Sequence, residues 1–283
     1  ELAQNEPTQF LIQLNKAKDL RQFINASTHQ IQGRKKLDQQ VDRYLQNGGL
    51  PGICFFRSPA LKNVRISDQL ATILDRDLRL VYPTSVPYIQ LYELLSYLSK
   101  IEGQIIRYSE IRAQVGITEA TQKKLLYALE NIFLIRRIPV SGGEKGFAVF
   151  LEDQAESFFL NPKKDLQTQM ESLVFRHVRV PFQNQLGENF RHFYYSTRSG
   201  ARVPVAIETQ DGILGFISTE DLKPNRSELA IANSFLKTYG TAKIVFLHRD
   251  TKVQVLNDRC VILPLHAILR TKSILNKSTL ARL

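Results

Sequence analysis

The sequence predicts a mixed α+β and α/β chain: a helical lead-in, a winged helix-turn-helix and a separate α/β domain. Three observations predict it. Residues 109–139 run helix, Gly-containing turn, helix, then apolar strand, which is the order of a winged helix-turn-helix. Beyond Ser141-Gly142-Gly143 the pattern changes to short apolar runs separated by turn residues. One of these runs, Ala242–His248, is continuously apolar, as suits a strand covered on both faces. The expected divisions are 1–82 (helical segment and linker, a lid in the resemblance given below), 83–145 (winged helix) and 146–283 (α/β domain).

Taken in order, residues 4–26 place Phe10, Leu11, Leu14, Leu20, Phe23 and Ile24 near a 3.6-residue period and predict helix. A second helix over 37–46 stops at Asn47-Gly48-Gly49, a C-cap and turn signal, and Pro51 forbids continuation. A third spans 67–81 from an N-cap at Ser67. Residues 82–87, rich in Pro, Thr and Ser, form a joint. An amphipathic helix over 88–100 and a short strand over 104–107 follow. Then come helices over 109–114 and 118–130, the second capped by Thr118, and a strand over 133–139. The second half reads as strand 147–151, helix 167–180, three short strands from Phe193 with turns at Ser199-Gly200 and Asp211-Gly212, and helix 225–239. Strands at 242–248 and 261–265 precede a basic helical tail.

With 283 residues, 43% of them hydrophobic, the core needs neither disulfide nor metal. Cys54 and Cys260 lie far apart and share no motif, and the five histidines show no paired spacing, which fits a reducing cytoplasm and no zinc site. No run approaches the roughly 18 apolar residues of a membrane span, and the opening ELAQNEPTQF lacks the regions of a signal peptide. The segment 141–146 has neither the spacing nor the hydroxyl residue after Lys145 that a phosphate-cradling loop needs, so it reads as a wing turn. The net charge of +11 points to a polyanionic partner, nucleic acid first, although the excess is spread along the chain.

The helix over 118–130 is the candidate recognition helix. Gln122, Lys123, Lys124 and Tyr127 would offer donors to phosphates or bases of duplex DNA, while Leu125, Leu126 and Leu129 take the core face. Arg136 and Arg137 are adjacent in the following strand, so at least one is expected to face solvent.

Several blocks resemble one family. YLQNGGLPG (44–52) and RISDQLATILDRDLRLV (65–81) resemble elements that follow the ATPase core in a group of prokaryotic AAA-type ATPases. Residues 108–140 resemble the winged helix of that group, and AVFLEDQAESFFL (148–160) its strand and turn beyond the wing. GARVPVAIETQDGILGFIST (200–219) lines up with a nuclease-type motif. The resemblance implies an ATPase core, with its ATP and Mg²⁺, ahead of residue 1, and a restriction-endonuclease-like domain at the end. In active members of that fold a helix Glu, a strand Asp and a Glu-x-Lys gather Mg²⁺ and water. Here Glu171 matches the helix acid, but the strand acids fall on Arg202 and Pro204, and the Glu-x-Lys falls on Ile217-Ser218-Thr219. Glu208 and Asp211 lie nearby in sequence, with no Lys two residues on from either.

The expected function is therefore a non-catalytic binding and regulatory module, holding no cofactor of its own. Its partners would be duplex DNA, its own ATPase core and possible further proteins, but no membrane. Two other readings stand beside it: a divergent metal-dependent nuclease at Glu171, Glu208 and Asp211, and a protein-interaction scaffold without nucleic-acid contact.

Overall fold

The computed structural model describes residues 9–31, 35–187 and 189–269. It is a mixed α/β structure whose residues group into two units, each assembled from separated segments. One unit, central in the sequence, comprises Gln39–Arg176 and His192–Ala206; the other, whose segments flank it in the sequence, comprises the described residues of Glu1–Asp38, His177–Arg191 and Ile207–Leu283. This grouping follows other lines than the three-part division, because helices of the lead-in pack on strands late in the sequence.

In the central unit, α3 (Lys35–Asn47, after α1 and α2 of the flanking unit) ends at Gly48, which has a φ of +64°. A Cβ at Gly48 would lie 2.4 Å from the backbone N of Ala155. Asp153 uses Oδ1 to accept from Ala155 N and Oδ2 to accept from Gly49 N. The Gly-Gly pair thus serves a close backbone approach as well as a helix stop. Gly48→Ala adds left-handed strain to that clash and is expected to cost at least about 2 kcal/mol in urea denaturation. A loss below about 0.5 kcal/mol would mean that the neighbouring helix start yields freely.

The third helix starts earlier than expected. α4 spans Pro59–Thr72, with Ser58 Oγ accepting from Leu61 N and Pro59 pre-set for the first turn. Ser67 is an exposed residue inside it. A π-helical turn, Ile73–Asp77, leads into α5 (Leu78–Val81), and Ile66, Leu70, Leu74 and Leu78, four apart, form one buried row.

Then follow α6 (Tyr88–Lys100), β1 (Ile105–Ile106), α7 (Tyr108–Val115), α8 (Glu119–Asn131), β2 (Ile135–Ser141) and β3 (Phe147–Leu151). Gly116 ends α7 in a left-handed conformation, and Thr118 Oγ1 caps α8 by accepting from Thr121 N. Leu91, Leu94, Leu95, Leu98, Ile111, Leu125, Leu126 and Leu129 share one core. α9 (Gln154–Leu160), which the sequence analysis did not foresee, starts at Asp153. It lacks an apolar period because Gln154, Glu156 and Ser157 are themselves buried. α10 (Leu166–Leu186), β4 (Arg191–Ser196) and β5 (Arg202–Thr209) come next, and the boundaries between the units fall inside α3, α10, β4 and β5. The strand order in this unit is β1-β3-β2-β4-β5, with β3 antiparallel to β1 and β2, and β4 parallel to β2.

In the flanking unit α1 (Gln9–Lys16) packs on β6 (Gly212–Ser218), and α2 (Leu20–Ile31) on β8 (Gln254–Asn257) and β9 (Cys260–Pro264). α11 (Arg226–Thr238) precedes β7 (Ala242–His248). The strand order is β6-β7-β9-β8, with β7 parallel to both neighbours and β8 antiparallel. Buried Asn15 joins the lead-in to this sheet: Nδ2 donates to Thr209 Oγ1 at 2.8 Å, and Lys243 Nζ donates to the Asn15 carbonyl at 2.6 Å. α10 runs through Pro181, where the sequence predicts a stop, and Phe182 just beyond it is buried with its ring centre 6.3 Å from that of Phe190. The basic tail lies outside the described residues. No helix among the described residues is long and apolar enough to cross a membrane.

Candidate nucleic-acid interface and the nuclease-type positions

Lys123, Lys124, Tyr127 and Asn131 fall on one exposed face of α8. Lys123 Nζ pairs with Glu119 Oε1 at 2.8 Å, one turn back, which raises its pKa, and sits 5.3 Å from the centre of the Tyr108 ring. Lys124 Nζ lies 6.0 Å from the Tyr82 ring centre. Both ammonium groups are thus poised over aromatic faces. Tyr127 is 64% exposed.

Three expected contact residues are placed otherwise. Gln122 is fully buried, and its Nε2 donates to the Ile117 carbonyl at 2.6 Å. It precedes Leu125, Leu126 and Leu129 by three, four and seven positions, so it belongs to the core face, a signal already legible in the spacing. Arg136 and Arg137 are both half-buried, and each is paired with a carboxylate. Arg136 Nε donates to Glu152 Oε1 at 3.0 Å. Arg137 donates to Glu130 Oε2 at 2.5 Å and to Tyr108 Oη at 3.1 Å. Phe133, expected inside a strand, instead occupies the turn between α8 and β2 with a φ of +56° and is 73% exposed. No turn residue marks that position in the sequence.

At the nuclease-type positions, Glu171 is 5% exposed, on α10. Its Oε1 accepts from Gln167 Nε2 at 3.0 Å, and a side chain at Gly103 would meet Oε2 at 3.4 Å. Burial pushes Glu171 up to about 7, with Asp165 adding to the rise and Arg202 and Gln167 opposing it. Tyr194, hydrogen-bonded to Arg202, is pushed up to about 12 by burial and stays protonated. Pro204 is buried in β5 without an amide donor. In the flanking unit, Thr219 Oγ1 is bonded to Glu228 Oε2 and to the Asp221 carbonyl, while Glu208 pairs with Arg191 at 2.7 Å and Asp211 with Lys16 at 3.6 Å.

The Mg²⁺ that the fold resemblance implies does not fit these residues. Magnesium takes octahedral oxygen ligands and keeps several waters. Glu171 is one carboxyl, shut from water beneath Gly103 and next to a guanidinium, and Arg202 and Pro204 supply no carboxylate. No group of three His, Cys, Asp or Glu among the described residues is arranged to hold a metal ion.

A buried ion cluster in the central unit has no signal in the sequence, because Lys164 and Arg176 lie 62 and 74 residues from Glu102. Glu102 Oε1 accepts from Arg176 Nη2 at 3.0 Å and from Leu151 N at 3.2 Å. Its Oε2 accepts from Ser157 Oγ at 2.5 Å and from Lys164 Nζ. Burial alone would raise Glu102, but Lys164 and Arg176 hold it below its ordinary value.

Among solved structures, the chain is similar to the crystal structure of protein VC1899 from Vibrio cholerae, at 14% identity and a TM-score of 0.26. The likeness covers 76% of this chain and 55% of that one, so the chain spans about half the length of that protein. No curated protein matches the chain. Residues 38–145 match a family described as a domain of unknown function (DUF8612).

Proposed function

We propose that this chain is a non-catalytic binding module that contacts nucleic acid through α8, on behalf of an AAA-type ATPase core. The observation that carries the reading is the succession α6–β1–α7–α8–β2–β3. It has the element order of a winged helix, and its second helix of the pair, α8, turns Lys123, Lys124 and Tyr127 to solvent. The succession α10–β4–β5–β6–α11–β7 likewise supports a nuclease-type fold, and Arg202, Pro204 and Thr219 at the acid and lysine positions support its being inactive.

Fluorescence anisotropy of labelled DNA across a salt series tests this. Binding should weaken with salt, with a log–log slope near −0.9 per phosphate contact on duplex. Replacing Lys123 and Lys124 together by alanine should weaken it and flatten the slope by about 1 to 2, since Lys123 already shares its charge with Glu119. The DNA should stay intact with Mg²⁺ present. Cleavage that disappears in Glu171→Gln would replace this reading with the nuclease. Absence of binding at low salt would favour the protein-contact scaffold.

A further inference from the structure

We infer that the α8 face takes an unpaired nucleic-acid strand, with bases stacking on Tyr127 and Phe133 and phosphates meeting Lys123 and Lys124. This rests on the reading of α8 as the nucleic-acid face and narrows it from the duplex expected above.

The duplex features of the face are weak. Base edges in a major groove are read by Arg, Lys, Asn or Gln side chains. Gln122 is buried, Arg136 and Arg137 are held by Glu152 and Glu130, and Asn131 donates its amide to the Tyr127 carbonyl at 3.0 Å. Two lysines remain on the helix, one of them shared with Glu119. A strong duplex grip neutralises on the order of 6–10 phosphates.

The single-strand features are strong. Tyr127 presents its ring on the same face as both lysines, and Phe133 follows where α8 ends. Phe133 sits in the left-handed conformation that helix ends ordinarily give to glycine. A large apolar ring is thereby strained and exposed at once, which stacking on a base explains and the packing of the unit does not. Rings interleaved with lysines are the chemistry by which single strands are held, because every base has a face to stack and every phosphate a charge to meet.

Anisotropy with a labelled oligothymidylate and a labelled hairpin duplex of equal length tests the idea on the whole chain. The single strand should bind at least about tenfold tighter. Tyr127→Ala and Phe133→Gly should each weaken single-strand binding by about 5- to 100-fold and leave its salt slope unchanged. The lysine double variant should flatten that slope by up to about 1.4. Phe133→Gly relieves the backbone, so its Tm should equal or exceed that of the wild type, which separates lost binding from lost folding. Ring variants that bind as the wild type does, or a duplex bound as tightly as the single strand, would overturn the inference while leaving the nucleic-acid reading standing. A chain that binds neither probe at low salt removes both.

Discussion

Replacing Glu102 by alanine is expected to cost about 3–5 kcal/mol, the range for breaking a buried ion pair by removing one partner. The carboxylate sits among four donors: the Leu151 amide, Ser157 Oγ, Lys164 Nζ and Arg176 Nη2. Lys164 and Arg176 are buried themselves, so the truncation leaves two cations in the interior without their counter-charge. Replacing all three charged residues together by apolar residues of similar volume should cost far less, because the desolvation penalty disappears with the charges. The pH dependence has a fixed sign. Glu102 is held below its ordinary value, so its contribution is present above about pH 4.5 and is lost as the pH falls through the lower, folded-state value. Urea denaturation at neutral and acid pH measures both. If Glu102→Ala lost under about 1 kcal/mol at neutral pH, water would have to reach the cluster, contrary to its burial.

Glu171→Gln should do the opposite and stabilise the protein at alkaline pH. Burial raises Glu171 from 4.5 to about 7, Arg202 and Gln167 offsetting only part of the rise. A carboxyl raised on folding favours the folded state at low pH. That advantage is complete below about pH 4.5 and is lost as the pH rises through about 7. One pKa unit is about 1.36 kcal/mol, so the loss amounts to at most about 3 kcal/mol. Glutamine keeps the shape and the polar contact with Gln167 but has nothing to ionise. Near pH 8.5 the variant should therefore exceed the wild type by about 2–3 kcal/mol, and near pH 5 the two should agree within about 1 kcal/mol. Glu156, which burial pushes up to about 8 with Asp153 adding to it, keeps an alkaline decline in both proteins, so the difference between them isolates Glu171. Parallel stability curves across this range would mean that Glu171 is solvated. In a metal-holding nuclease site the same substitution would instead weaken metal binding.

Much of the α8 face was readable beforehand. The cap at Thr118, the turn at Gly116 and the three buried leucines are local signals, and they put Lys123, Lys124 and Tyr127 outside. The burial of Gln122 was readable too, from the same spacing. Phe133 was not, because the exposed ring follows from a left-handed residue that nothing in Asn131-Ile132-Phe133 announces. For Arg136 and Arg137 the spacing tells only that adjacent strand residues point to opposite faces; their partners Glu152 and Glu130 come to them only on folding.

By itself, the sequence determined the order of the elements from α6 to β3, the mixed α/β class, and the absence of acids at Arg202 and Pro204 and of lysine at Thr219. Period, caps and turns act within a few residues, and the identity of a side chain needs no fold to be read. Tertiary structure alone decided the rest. Glu102 lies 62 residues from Lys164 and 74 from Arg176, and only folding removes the water that would otherwise keep their charges apart. Glu171 became a carboxyl with a raised pKa because folding buries it, with Gly103 approaching from a distant turn. α1 joined the sheet of β6, where Asn15 reaches Gly212, 197 residues on, and finds the carbonyl that its amide must meet once it is buried.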